Sequence, residues 1–143
     1  MERLPEFVAN HLFLFSLLLS ILMLLAWNIY GDVLSGVKLL QPDEVTRLIN
    51  REDAQVIDIR TQKEFESGHI IDAIHINADE LGSQLNKLNK YKDKGVIFCC
   101  EGGSVSIKEA RKLMNEGFEK AYCLKGGVLS WQQANLPLTK GSK

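Results

Sequence analysis

Val96-Ile97-Phe98-Cys99-Cys100-Glu101-Gly102-Gly103-Ser104-Val105-Ser106 is the stretch that decides how this 143-residue chain folds. It opens as a short, unbroken apolar run. A strand buried on both faces of a parallel sheet reads this way, whereas a half-exposed strand alternates. Val96 to Cys99 is therefore expected to be such a strand. Two glycines follow, and Ser106 with Glu109 has the spacing of a capping box, which predicts a helix from Ser106 to Glu116. Ile107, Ala110, Leu113 and Met114 then recur at helical spacing. Cys100 thus falls where a strand runs out into a glycine loop ahead of a helix. Unpaired N–H groups and a partial positive charge at a helix start favour a thiolate, and the thiolate is the nucleophilic form.

The same alternation runs outward in both directions. Val37–Leu40, Gln55–Ile59, Ala73–Ile76 and Ala121–Leu124 are short apolar runs and predict strands. Between them, Pro42 with Asp43 and Glu44 opens a helix faced by Val45, Leu48 and Ile49. Gln62–Ser67 is a short helix stopped by Gly68; Leu81, Leu85 and Leu88 mark another, and Val128–Ala134 is the last. Strands alternating with helices predict an α/β fold with a mainly parallel sheet flanked by helices. Ligands of such sheets bind beyond the carboxyl ends of the strands, which is where Cys100 stands.

Ahead of this domain lies Leu12–Tyr30, uninterrupted by any charge. Nineteen helical residues reach about 28 Å, close to the thickness of a bilayer core. Trp27 and Tyr30 sit at one end, where aromatic residues favour the interface. A cleaved signal peptide would have a basic start and a small-residue cleavage site; here Glu2 and Glu6 offset Arg3, and no such site follows. The expected organisation is a tail at 1–11, a transmembrane helix at 12–30, a linker at 31–36, a domain at 37–139 and a tail at 140–143. Lys38, Arg47 and Arg51 after the span, against Arg3 before it, put the domain in the cytoplasm, with the lipid bilayer as one partner.

Composition narrows the function classes. The net charge of −1 does not call for a nucleic-acid partner. Cys99, Cys100 and Cys123 form no C-x-x-C pair, and His11, His69 and His75 are scattered, so no metal site and no other cofactor is expected. Adjacent free thiols suit a reducing compartment.

From Val37 to Leu138 the chain resembles the rhodanese-like (sulfurtransferase) family. Val56-Ile57-Asp58-Ile59-Arg60 looks like its strand ending in Asp-x-Arg. Glu64-Phe65-Glu66-Ser67-Gly68-His69-Ile70 looks like its Glu-Phe-x-x-Gly-His-Ile segment, and Ala73-Ile74-His75-Ile76 continues it. Gly117-Phe118, Leu124-Lys125-Gly126-Gly127-Val128, Trp131 and Leu136-Pro137-Leu138 match its C-terminal pattern. An anchor followed by one such domain also resembles small bacterial inner-membrane rhodaneses. The resemblance implies that Cys100 carries sulfane sulfur as a persulfide, cradled by the loop Glu101, Gly102, Gly103, Ser104 and Val105. It implies a sulfur donor and a thiol acceptor as further partners, either of which could be a protein. The six-residue loop fits sulfur transfer; related dual-specificity phosphatases have one residue more and end with Arg. Many active family members carry Arg where Val105 stands, and here Glu101 adds a negative charge. Both departures weaken the case for a thiosulfate dianion as donor.

Beside the cysteine loop, Asp58 and Arg60 are read as a structural ion pair or as shaping the loop from behind. Cys99 points to the opposite side of its strand by the period of two, and Cys123, Phe118 and Trp131 are read as core. His69 is read as a structural hydrogen-bonder, and Gly126-Gly127 as a turn into the last helix. Two function classes stay open: a membrane-anchored sulfurtransferase working through Cys100, and a non-catalytic rhodanese-like interaction module.

Overall fold

The computed structural model describes residues 11–33 and 36–141. Residues 1–10, 34–35 and 142–143, which take in most of the expected N-terminal tail and part of the expected linker and C-terminal tail, lie outside the described residues. The chain divides into two compact units, Met1–Ser35 and Gly36–Lys143.

In the first unit, helix α1 runs Leu12–Val33, 22 residues. It takes in Gly31, Asp32 and Val33, which were expected to belong to the linker; glycine is tolerated at a helix end, where its entropic cost is least disruptive. The side chains from Leu12 to Trp27 are exposed on every face. Among the described residues no helix is long and apolar enough to cross a membrane. The transmembrane helix expected over Leu12–Tyr30 is therefore not shown.

The second unit holds a sheet of five strands, β1 Lys38–Leu40, β2 Gln55–Asp58, β3 Ile74–His75, β4 Val96–Cys99 and β5 Ala121–Leu124. All pairings are parallel, in the order β1-β5-β4-β2-β3. β4 is central and its four residues are all buried, which accounts for its continuous apolar sequence. Helices α2 Pro42–Glu52, α3 Gln62–Ser67, α4 Leu81–Leu88, α5 Ser104–Asn115 and α6 Gly127–Gln133 connect and follow the strands. Alternate strand residues feed two cores. Val96, Phe98 and Cys123 pack with Leu81, Leu88, Ile107, Ala110 and Leu113 on one face. Ile97, Cys99 and Leu124 pack with Val45, Phe65, Val128 and Trp131 on the other. A bridge between His69 and Thr139 ties the C-terminal segment back to the domain.

Helix α5 starts two residues earlier than its sequence suggests. Gly103, at φ +96°, occupies the cap position, a left-handed conformation that glycine adopts without strain. Ser106 is already inside the helix, and its hydroxyl donates back to the Gly103 carbonyl at 2.7 Å. Glu109 pairs with Lys112 at 2.8 Å instead of closing a capping box on Ser106.

Candidate functional site

Cys100 is the first residue beyond β4, at the carboxyl edge of the sheet, and is buried to 6% exposure. Its Sγ accepts the Gly103 N–H at 2.9 Å. The thiol also lies 3.7 Å from the Ser106 hydroxyl, to which it donates. Ser106 in turn touches the Cys123 thiol, so one hydroxyl joins both sulfurs on this face of the sheet.

The loop is held open by α6. Val128 N–H donates to the Cys100 carbonyl at 2.9 Å, and Leu129 N–H donates to the Glu101 carbonyl at 3.3 Å. Those carbonyls turn toward α6, while the Gly103 N–H turns to the sulfur. This docking requires the glycine pair. Gly126 and Gly127 have φ of +73° and +61°. A Cβ on Gly127 would lie 2.6 Å from the Glu101 carbonyl carbon and closer still to the carbonyl oxygens of Cys100 and Glu101. A Cβ on Gly103 would meet the Gly126 backbone nitrogen at 3.1 Å. The Gly-Gly doublet is thus part of the cysteine loop's seating as well as a turn. The doublet was legible in the sequence; its contact with the loop was not, because the partners lie far apart along the chain.

Asp58 and Arg60 lie behind the loop, both buried. Arg60 grips Asp58 with Nε and Nη2, at 3.0 and 2.7 Å, and Nη2 also donates to the Gly68 carbonyl at 2.7 Å. Nη1 reaches Glu101 at 3.2 Å. Burial works against the Arg60 charge, yet Asp58 and then Glu101 outweigh it and hold the guanidinium above its ordinary pKa. The Glu101 charge, read from sequence as an uncompensated anion, is therefore partly met by Arg60. The three groups together still carry a net −1. Val105 is 50% exposed in the first turn of α5, where no cation replaces it.

The other two cysteines differ in kind. Burial pushes the Cys99 thiol well above its ordinary value, with Asp58 adding to the effect. Burial likewise pushes the Cys123 thiol up to about 12. His69 is structural: its Nδ1 lies 2.9 Å from the Phe65 carbonyl, and its ring stacks on Phe65 at 3.8 Å between centroids. Sequence reasoning passed over His75, whose Nε2 is 2.7 Å from the Arg60 carbonyl and steadies the turn that aims Arg60. Among the described residues, no group of three or more His, Cys, Asp or Glu could hold a metal ion.

Comparison with known proteins agrees with this architecture. The rhodanese-like domain family model matches residues 41–134. The uncharacterized Escherichia coli K12 protein YibN is 34% identical over 142 residues, covering 99% of each chain. A tRNA uridine(34) hydroxylase from Cronobacter sakazakii is 33% identical over 96 residues, which is 64% of this chain and 28% of that protein. Among solved structures, a thiosulfate sulfurtransferase from Pseudomonas aeruginosa superposes with a TM-score of 0.69 at 25% identity, covering 80% of this chain and 23% of that one. These relationships support a sulfur-related function of the sulfurtransferase type, and on the match of its family model the chain belongs to the rhodanese-like domain family.

Proposed function

We propose that the protein is a sulfurtransferase that carries sulfane sulfur as a persulfide on Cys100, with the loop Glu101–Val105 as its cradle. The observation that carries this reading is the Gly103 N–H donating to Sγ at 2.9 Å, in a loop whose neighbouring carbonyls are drawn away by α6. A backbone donor of this kind suits an anionic sulfur and preorganises the site for charge that develops there. In the loading step the Cys100 thiolate attacks the outer sulfur of a donor persulfide. A new Sγ–S bond forms, the donor's S–S bond breaks, and its electron pair leaves on the donor thiolate. The proton stays on the transferred sulfur, and no net oxidation occurs. Transfer to an acceptor thiol repeats the exchange in reverse.

A thiosulfate dianion is the weaker donor in this reading. It would meet the net negative Asp58–Arg60–Glu101 group without an arginine at position 105 to offset it. The lack of that cation also favours the second reading, a rhodanese-like module that binds partners without turnover. The anchor belongs to the proposal on the strength of the charge-free sequence Leu12–Tyr30. In that arrangement the domain faces the cytoplasm from the inner membrane, where the thiols stay reduced.

The deciding experiment is intact mass of the full chain, purified in mild detergent and incubated with thiosulfate or with free cysteine persulfide. The enzyme reading expects a gain of one sulfur, lost in Cys100→Ser. No gain with either donor makes the interaction module the better account. For the anchor, carbonate extraction should leave the protein in the membrane fraction; release by carbonate would refute it.

A further inference from the structure

Cys123 lies in β5, fully buried, and the chemistry written above makes no use of it. It pairs in register with Phe98 of β4. Cys100 is two residues past Phe98, so the period of two brings both thiols to one face of the sheet, and both belong to the same core as Ile107. The Ser106 hydroxyl, also fully buried, bonds to each of them. The Cys100 thiol donates to it at 3.7 Å, and a side-chain hydrogen bond joins it to Cys123. Its own proton is committed to the Gly103 carbonyl at 2.7 Å. A hydroxyl has one proton to give and two lone pairs to fill. With that proton on Gly103, the bond to Cys123 runs from the thiol to Oγ, and the two thiols fill both lone pairs.

That balance changes when Cys100 reacts. As a thiolate, or carrying a persulfide, Sγ has no proton and Oγ loses one of its two donors. Resting on the persulfide reading above, we infer that Cys123 is a positioning residue for Cys100: its S–H keeps the Ser106 oxygen satisfied when Sγ has no proton, and so favours the reactive form of the site. Burial holds the Cys123 proton up to about 12, so this thiol is still a donor at neutral pH. Without it, an ionised Cys100 leaves the buried Ser106 oxygen with no donor, and a buried polar atom left unmet costs free energy. The thiol form is spared, because Cys100 itself then donates. The cost falls on the reactive form alone.

The test follows alkylation of Cys100 by iodoacetamide, a neutral reagent, in the full chain in mild detergent from pH 6 to 9, with the modified residue assigned by fragment mass. Cys123→Ala should slow Cys100 about fivefold on the rising part of the pH–rate profile, the size of one net hydrogen bond. Cys123→Ser keeps a donor and should stay within about twofold of the parent. Asp58, Arg60 and Glu101, the charged groups about the loop, are the same in every variant. In a Ser106→Ala background, Cys123→Ala should add no further slowing, because it acts through that hydroxyl. Should the small residues melt the domain, Cys123→Thr and Cys123→Val make the same comparison of hydroxyl with methyl. An unchanged rate in Cys123→Ala, equal slowing by Ala and Ser, or a separate effect of Cys123→Ala without the Ser106 hydroxyl overturns the inference. Sulfur loading of the same variants separates the two claims. Alkylation as expected, with no sulfur gained from thiosulfate or free cysteine persulfide, overturns the persulfide reading and leaves the role of Cys123 standing.

Discussion

Replacing Gly127 by alanine should unseat the cysteine loop. The added methyl would sit 2.6 Å from the Glu101 carbonyl carbon, and no real Cβ is found that close. Normal contact needs the loop or α6 to move by about 1 Å. That movement loosens two hydrogen bonds, Val128 N–H to Cys100 O and Leu129 N–H to Glu101 O. Each is worth about 1 kcal/mol net. Holding alanine at φ +61° adds roughly 1–2 kcal/mol of backbone strain. The sum is about 3–4 kcal/mol, a large part of the 5–15 kcal/mol typical of a domain. Thermal unfolding of the full chain in detergent should then shift down by on the order of 10 °C. Sulfur loading of Cys100, read by intact mass, should fall with it even below the melting range. Gly102→Ala is the control: a Cβ there meets nothing within 4 Å, and stability should hold within about 0.5 kcal/mol. If Gly127→Ala melts and loads like the parent, the close approach of α6 is not what seats the loop.

Arg60→Ala should cost about 3–5 kcal/mol in urea unfolding, because it strands the buried Asp58 carboxylate. Glu101→Gln should cost under about 1 kcal/mol, since that pair is exposed on its acidic side; equal losses in the two variants would refute this ranking. Alkaline pH should destabilise the domain. Cys123 holds its proton to about 12 when folded but only to about 9.0 when unfolded, and Cys99 is raised as well. The stability due to each thiol is complete below the unfolded value and is lost as pH rises through this window. The slope is about 1.4 kcal/mol per pH unit per thiol. Urea midpoints from pH 7 to 11 should fall above pH 9, and less steeply in Cys123→Ala; an unchanged slope in that variant would count against the assignment.

The strands were the most legible part of this chain. Val96–Cys99 and Ala121–Leu124 have the bounds expected of them, because burial, complete in the first and broken only at Tyr122 in the second, writes a continuous apolar run into the sequence. Gln62–Ser67 also has the bounds expected of it, with Gly68 as its stop; the Thr61–Glu64 capping box that starts it was not part of that reading. What failed to show was tertiary. The start of α5 turns on the left-handed conformation of Gly103, which Ser106 and Glu109 mask by imitating a capping box. The Arg60–Glu101 pair joins residues 41 apart, so the loop acid was read without its counter-charge. His75 acts through a backbone carbonyl, a role that no residue type announces. The expected anchor depends on residues 28–30, whose side chains lie outside the described residues.

Charge and backbone at this site answer different questions. The backbone is arranged around the sulfur: three glycines at positive φ, at 103, 126 and 127, let α6 take the loop carbonyls while Gly103 offers its N–H to Sγ. A turn that served only to join β4 to α5 would not need a second segment packed against it so closely that a methyl group is excluded. The side chains around it are arranged differently. Arg60, a buried cation beside the loop, is already shared among Asp58, Gly68 and Glu101. Spending the guanidinium in this way supports the loop but leaves little of its field for an incoming anion. On the proposed sulfurtransferase reading, a cradle for sulfur combined with poor attraction for small anions makes thiosulfate turnover a test of the loop's charge, and persulfide loading of Cys100 a test of the cradle itself.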